Sequence, residues 1–512
     1  MMVARTLSVA LLGMTGAVVE VEAHIASAIP GFQIIGLPDT ALSDAKDRVK
    51  AAAANDGCAL PAKKIVVNLS PASLPKHGSA YDLAIAVAVL AADGGVSAEN
   101  IATVVHLGEL SLDGRVRPMS GVLPAIVAAR QAGYTRFVVP RGNEDEARLV
   151  PGVEVVTVRS LRDALIHHGA ELEPVPVEPL LQPVAVPLAE SAGDLADVAG
   201  NPDAVESLVV AAAGGHHLFL LGPPGAGKTM LAQRLPGLLP DLDPEQALMA
   251  TSVSSLAGRP LSGLVVRPPW ESPHHTSSAA ALVGGGSKLI RPGAAARAAF
   301  GVLFLDEAPE FPSSVLDTLR QPLESGTITI HRANAIAHFP GRFQLVMAAN
   351  PCPCGQFGTS DIACTCTPMA RRRYLARLSG PLLDRVDLQL RVNRVTTAEM
   401  RLTGDTTERP STAVARARVE NARAVARHRL TGTPWKTNAE VPGAWFRSGA
   451  RRLPPATVAS IDRALERGSL TMRGYDRVLR VAWTIADLDG GDAAPTADHI
   501  GWALYLRRSV AA

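Results

Sequence analysis

Apolar and polar positions alternate with period two over residues 17–25, 64–69, 104–112 and 137–140, the signature of strands with one buried face. Between these runs, residues 41–54, 81–92 and 122–131 place apolar side chains at helical spacing. The pattern therefore predicts a mixed α and β region over residues 1–170. In LGELSLDGRVRPMSG the pair Asp113-Gly114 predicts a hairpin turn, because such turns need residues that tolerate positive φ. The opening stretch MMVARTLSVALLGMTGA is basic and apolar, but it continues directly into VVEVEAHI without a convincing small-residue cleavage site. It reads as a strand rather than a secretory leader.

The alternation stops at residues 171–193. Here ELEPVPVEPLLQPVAVPLAE carries five prolines in twenty residues, which predicts an extended connector between domains. Beyond it, short apolar runs at 217–221, 302–305 and 343–348 end in glycine or polar residues and alternate with helical segments. Strands covered on both faces of a parallel sheet have this form, so a second domain is expected over 194–400. Residues 401–512 are mainly helical in pattern, at 412–430, 456–467, 473–488 and 496–508. The expected fold class is α/β and multidomain: an amino-terminal α+β domain, a central parallel sheet and a carboxy-terminal helical region.

Composition refines this reading. Across 512 residues, 47% hydrophobic and 19% charged content fits several folded domains rather than a disordered chain. The net charge of +2 gives no bulk attraction to polyanions. It is unevenly spread, however: residues 401–512 hold 18 Lys or Arg against 11 Asp or Glu, so that end carries +7 and the rest −5. The longest apolar run, residues 83–92, is ten residues, short of the ~20 that cross a bilayer, so no membrane association is expected. Four of the five cysteines fall within residues 352–366. That clustering predicts a metal site in a reducing cytoplasm rather than disulfide staples.

The strongest chemical motif is Gly222, Pro223, Pro224, Gly225, Ala226, Gly227, Lys228 and Thr229, a complete GxxxxGK[ST] between an apolar strand and a helical pattern. Glycines let backbone N–H groups surround a phosphate at the positive end of a helix. Lys228 is expected to reach the β- and γ-phosphates of ATP, and Thr229 to ligate Mg²⁺. The run GVLFLDEAPEF ends a buried strand in Asp306 and Glu307, one carboxylate for Mg²⁺ and one to activate water. Asn350 closes FQLVMAAN at a strand tip, within reach of the γ-phosphate or water, and SGPLLDRVD presents Arg385 toward a neighbouring subunit's nucleotide. Cys352, Cys354, Cys364 and Cys366 form two CxC pairs suited to a structural Zn²⁺, tighter than the usual CxxC spacing. The following Arg371, Arg372 and Arg373 are candidates for contact with a phosphate backbone, or a solvated basic helix. Residues 327–339 alternate around Ala333-Asn334 as a hairpin with His331 and Arg332 near its tip. His274 and His275, in an insertion over 251–297, are adjacent histidines without suitably spaced partners, and read as hydrogen-bonding or packing residues rather than metal ligands.

GPPGAGKTM, SPHHTSSAAALVGGGS, GVLFLDEAPEF, NPCPCG, SGPLLDRVD and MRGYDRVLRVAWTIADL together resemble the magnesium-chelatase-like AAA+ ATPases of the ComM/YifB family. GFQIIGLPDTALSDAKDRVKAA and VNLSPASLPKHGSAYDLAIA extend the resemblance into the amino-terminal region, so it covers essentially the whole chain. The resemblance implies that Asn350 is a sensor residue, Arg385 an arginine finger acting in trans and Arg473 the sensor arginine of a helical lid. It further implies a homo-oligomeric ring, usually a hexamer, whose hairpin enters the pore. Its expected activity is ATP-driven movement on single-stranded or branched DNA, in branch migration, recombination or DNA uptake. The alternative is a protein-remodelling or magnesium-chelatase-type subunit. The amino-terminal domain also resembles the Lon-protease-like form of the ribosomal S5 domain 2 fold, with Ser79 near the nucleophile's place. Leu123 and Pro124 stand where a protease would carry its lysine, which leaves that serine without an activating base. A scaffold or DNA-binding role is expected instead.

Overall fold

The computed structural model describes residues 3–36, 42, 44–74, 76, 78–178, 193–286, 290–332, 335–358, 364–395, 409–491 and 493–507. Most of the expected proline-rich connector, residues 179–192, lies outside them.

Two long strands, Val3–Leu12 and Thr15–Ala26, form an antiparallel hairpin at the centre of a seven-stranded mixed sheet. Alternation sorts their side chains to two faces. Ala4 and Ala10 face a core with the all-buried helix Asp82–Ala92, whereas Leu7 and Val9 face another with helix Val122–Gln131. The expected single strand over 104–112 is split. Val104–His106 stays in the large sheet, and Glu109–Leu110 pairs instead with Val116–Arg117 around the Asp113-Gly114 turn. The divergence occurs at Gly108, whose N–H donates to Ala80 and whose carbonyl accepts from Leu83, drawing the chain onto the start of helix Asp82–Ala92.

The central sheet has five parallel strands in the order Trp270–Glu271, Val302–Leu305, Gln344–Ala349, Leu218–Leu221, Leu388–Arg391. Three of them are buried along their whole length. Leu218, Leu220 and Val346 pack with the helical region, including Val419, Val478, Ala482 and Ile500, while Phe219, Leu221, Leu345 and Met347 pack on the opposite face. The expected insertion does not begin at Thr251, which lies inside helix Pro244–Leu256. The small polar residues there are compatible with helix because Thr251 and Ser252 donate their hydroxyls to the carbonyls of Ala247 and Leu248 at 2.6 and 2.8 Å.

The carboxy-terminal helices are Thr412–Arg429, Pro455–Glu466, Met472–Leu488 and Ala497–Tyr505. The amino-terminal region also touches the core: Met14 donates to the His338 carbonyl at 3.2 Å, and Ser255 Oγ donates to Glu146 at 2.5 Å. No helix among the described residues is long and apolar enough to cross a membrane.

Candidate nucleotide and metal sites

Every element carrying the phosphate-loop chemistry leaves the sheet at its carboxyl edge. The loop follows Leu218–Leu221 and opens helix Lys228–Leu238, with Gly225 and Gly227 at φ +77° and +87°. Those left-handed positions explain why glycine stands there, and a Cβ on Gly225 would meet nothing, so the backbone is open to a bound phosphate. Lys228 is buried, its Nζ donating to Gly222 O at 2.6 Å, Pro223 O at 3.0 Å and Asn350 Oδ1 at 3.0 Å. Burial depresses its pKa, partly opposed by the charges of Asp306 and Glu307.

Thr229 Oγ1 donates to Asp306 Oδ2 at 2.7 Å, so the hydroxyl and carboxylate suited to Mg²⁺ already face each other. Glu307 sits beside them at φ +49°, and Asp306 Oδ1 accepts its backbone N–H at 2.9 Å. This set fits ATP with Mg²⁺: loop amides and Lys228 for phosphates, a hydroxyl–carboxylate pair for the cation, and the exposed Glu307 carboxylate for a water.

Sequence reasoning missed two neighbours of this site. Arg394 Nε donates to the Pro224 carbonyl at 2.9 Å, and no motif signals it. His275 Nδ1 lies 3.4 Å from Glu307 Oε2. The sequence showed its adjacency to His274 but not this partner.

Arg385 and Arg473 lie elsewhere. Both line a cavity of about 640 Å³ with Gly215 and His217, which precede Leu218–Leu221, and Phe300 and Gly301, which precede Val302–Leu305. That is the amino edge of the sheet. A four-residue strand rises about 13 Å, so both arginines stand a strand's length from their own chain's phosphate loop. Arg385 pairs with Glu324 at 2.7 Å. Arg480 lines the same cavity with a buried Nε that has no hydrogen-bond partner among the described residues.

The four clustered cysteines converge. Their Sγ atoms all lie within 4.8 Å of one another, with Cys352–Cys364 and Cys354–Cys364 each at 3.7 Å. Tetrahedral Zn–S bonds of about 2.3 Å place sulfurs about 3.8 Å apart, so the set fits Zn²⁺. The backbone N–H of Gln356 stabilises the Cys354 thiolate and, with the neighbouring thiols, pulls its pKa to about 6. The cluster also abuts the phosphate loop, since a Cβ on Gly355 would come within 2.6 Å of Pro224 Cγ.

Arg371 stacks on Phe357 at 3.9 Å and, with Arg372, lines a groove shared with Gly222 and Pro223. Two of the expected DNA-contact arginines thus stand beside the phosphate loop, and both Arg372 and Arg373 are exposed. The hairpin is present as Thr327–Arg332 paired with Ala335–Pro340, and His331 and Arg332 are exposed. Its expected turn at residues 333–334 lies outside the described residues. In the amino-terminal region Ser79 Oγ donates to Glu109, and the nearby Lys76 is buried with Nζ donating to Gly36 O and Leu69 O at 3.0 and 2.9 Å.

Comparisons with known proteins agree along the whole chain. Residues 194–400 match the family described as magnesium chelatase, subunit ChlI; residues 21–143 match subunit ChlI of Mg-chelatase; and residues 409–507 match the ChlI C-terminal family. An uncharacterised protein of Mycobacterium tuberculosis strain H37Rv is 47% identical over 516 residues, covering 99% of each chain. Competence protein ComM of Haemophilus influenzae is 40% identical over 513 residues, covering 100% of this chain and 98% of its own. The uncharacterised protein YifB of Escherichia coli K12 is 39% identical over 502 residues, covering 97% and 96%.

Proposed function

The chain belongs to the magnesium-chelatase-like AAA+ ATPases of the ComM/YifB family and hydrolyses ATP, and from that premise we propose that it is a cytoplasmic ring motor acting on DNA, a branch-migration helicase or translocase in homologous recombination or DNA uptake. The observation that carries the ring is the opposition of the two sheet edges. The phosphate loop with Asp306, Glu307 and Asn350 leaves one edge, and Arg385 and Arg473 stand at the other. A head-to-tail assembly closes each ATP site with the next subunit's arginines, and we propose the hexamer usual for such rings.

In this mechanism the loop amides and Lys228 hold the phosphates, and Asn350 orients Lys228 and the water. Glu307 takes the water's proton as it attacks the γ-phosphorus. The incoming Arg385 and Arg473 offset charge on the departing phosphate. Mg²⁺, held by Thr229 and Asp306, supplies further charge neutralisation when bound. The proposed division is an S5 domain 2-like, non-proteolytic domain over 1–170, a connector over 171–193, an ATPase core over 194–400 with its cysteine segment at 351–367, and a helical lid over 401–512.

DNA as substrate is supported by His331 and Arg332 on the exposed hairpin, by the +7 charge of residues 401–512 and by the likeness to ComM. Rings that grip polypeptide use exposed aromatic pore residues, whereas this hairpin offers imidazole and guanidinium. ATPase rates with and without single-stranded and branched DNA test the reading, with Lys228→Ala as the inactive control. DNA is expected to raise turnover about tenfold, a coupling within the ordinary range between two sites, and the ring to move junctions. His331→Ala with Arg332→Ala is expected to remove most of that stimulation. No stimulation and no junction movement returns the protein to the polypeptide-remodelling or chelatase-type alternative.

For the cysteine cluster we propose a structural Zn²⁺ that braces the loop through Gly355. Metal analysis of protein purified under reducing conditions is expected to find one Zn²⁺ per chain, and Cys352→Ser to lose most of it together with about tenfold in ATPase rate, a loss typical of disturbed metal sites. A content well below one per chain in the unaltered protein removes the proposal.

A further inference from the structure

We propose that the amino-terminal domain is a strut for the pore hairpin: it is seated on helix Pro244–Leu256 at one contact and on the hairpin strand Ala335–Pro340 at another, so that the hairpin moves with it. What the hairpin grips rests on the DNA-motor reading. The strut itself does not.

A two-stranded ribbon is marginal in water on its own. Thr327–Arg332 covers one edge of Ala335–Pro340, and Ala337 and Phe339 are buried in the core beside it. The other edge is met by the turn between the first two strands. Gly13 forms a β-bridge with His338, and Met14 N donates to the His338 carbonyl at 3.2 Å. Met14 also packs against the cluster that holds Ile328, Ala337 and Phe339. The turn fits without clearance: Gly13 has φ +63°, and a Cβ there would lie 2.8 Å from His338 O and 3.1 Å from Ala337 Cβ. His338 passes the contact to the second strand, since its Nδ1 lies 3.2 Å from Thr329 Oγ1.

This turn is held from behind. It joins Val3–Leu12 to Thr15–Ala26, paired along the whole of the first strand, at the centre of a sheet with a packed core on each face. Close-packed interiors transmit a displacement rather than absorb it. The second contact lies next to the turn. Gly121 N donates to Ser255 O and Ser255 Oγ, each at 3.1 Å. The buried Glu146 accepts from Ser255 Oγ at 2.5 Å and from Leu123 N at 3.2 Å. Leu11, two residues before Gly13, ties the two contacts together: a Cβ on Gly121 would come within 2.7 Å of Leu11 Cδ1 and 3.1 Å of Leu256 Cδ2. Helix Pro244–Leu256 itself follows the phosphate-loop helix Lys228–Leu238 after five residues. A continuous packed route therefore runs from the nucleotide side through the amino-terminal domain to the hairpin.

The test uses the full-length ring. Amide hydrogen exchange at residues 336–339, measured without DNA, is expected to quicken about tenfold in Gly13→Val, while exchange at Val104–His106 stays unchanged. DNA-free ATP turnover is expected to be unchanged, because the turn bonds to the hairpin strand rather than to the phosphate loop. Movement of a four-way DNA junction per ATP hydrolysed is expected to fall about tenfold. Met14→Ala, which leaves the turn's backbone intact, is expected to shift exchange and junction movement in the same directions, and Met14→Leu, of similar volume, to preserve both. Unchanged exchange at 336–339 in Gly13→Val and Met14→Ala overturns the proposal, as does quickened exchange with undiminished junction movement per ATP. If Gly13→Val also quickens exchange at Val104–His106, it has loosened its own domain, and Met14→Ala decides. If the unaltered ring moves no junction, the DNA reading fails, and exchange at 336–339 still decides whether the turn anchors the hairpin.

Discussion

Glu307→Gln is expected to lower ATP turnover by about 10³-fold, the middle of the range for a general base, while ATP binding survives. Glutamine keeps the length and shape of the side chain but cannot accept the water's proton. The binding groups stay intact, because Lys228 donates to the loop carbonyls and to Asn350 Oδ1, and Thr229 Oγ1 donates to Asp306, none of which involves the Glu307 side chain. The loss corresponds to about 4 kcal/mol of transition-state stabilisation. Lys228→Ala is expected to differ in kind: with the buried ammonium gone, the phosphates lose their counter-charge and nucleotide affinity falls along with turnover. Equilibrium binding of a fluorescent ATP analogue, measured beside the hydrolysis rate, separates the two. A residual rate in Glu307→Gln within tenfold of the unaltered protein would transfer the role of base to another group.

These groups were legible in the sequence because local rules place them. A phosphate loop needs glycine where φ is positive, and Gly225 and Gly227 are such positions. A strand buried on both faces has to be apolar until it reaches the edge, so the change to Asp306-Glu307 and to Asn350 marks the carboxyl ends of Val302–Leu305 and Gln344–Ala349. What was not legible depends on tertiary packing. His275 and Glu307 are brought together by the route of an insertion that has no sustained period, and the approach of Gly355 to Pro224 joins loops from two different strands. Gly108 reads as one more position in an alternating run, and only the neighbouring helix start explains why the strand leaves the sheet there. The arginines show the same limit. Arg371 was visible as part of a basic cluster, but its stacking on Phe357 beside the phosphate loop follows from how the cysteine segment folds back.

Arg385→Ala and Arg473→Ala are each expected to lower turnover by about 10³-fold, the lower end of the effect of an arginine finger, and to be rescued by mixing. The argument is the sheet's polarity. Both side chains open into the cavity at the amino edge, a strand's length away from their own Lys228, so the site each one completes belongs to a neighbour. The Glu324 that holds Arg385 is 70% exposed, and an ion pair so open to water contributes little and is readily exchanged for a phosphate. Subunits carrying Arg385→Ala retain an intact phosphate loop, and subunits carrying Lys228→Ala retain intact arginines. Each forms inactive rings alone. Mixed in equal amounts and allowed to exchange, they are expected to build complete sites at about a quarter of the interfaces, since a sound loop must meet a sound arginine edge in a head-to-tail ring. The same mixing with Arg473→Ala is expected to give the same recovery. If Arg473 acted on its own chain's nucleotide, its mixed rings would still regain activity only where a Lys228→Ala subunit supplied a loop it no longer has, and they would stay inactive. Recovery with Arg385→Ala but none with Arg473→Ala would therefore separate the two arginines and return Arg473 to its own subunit.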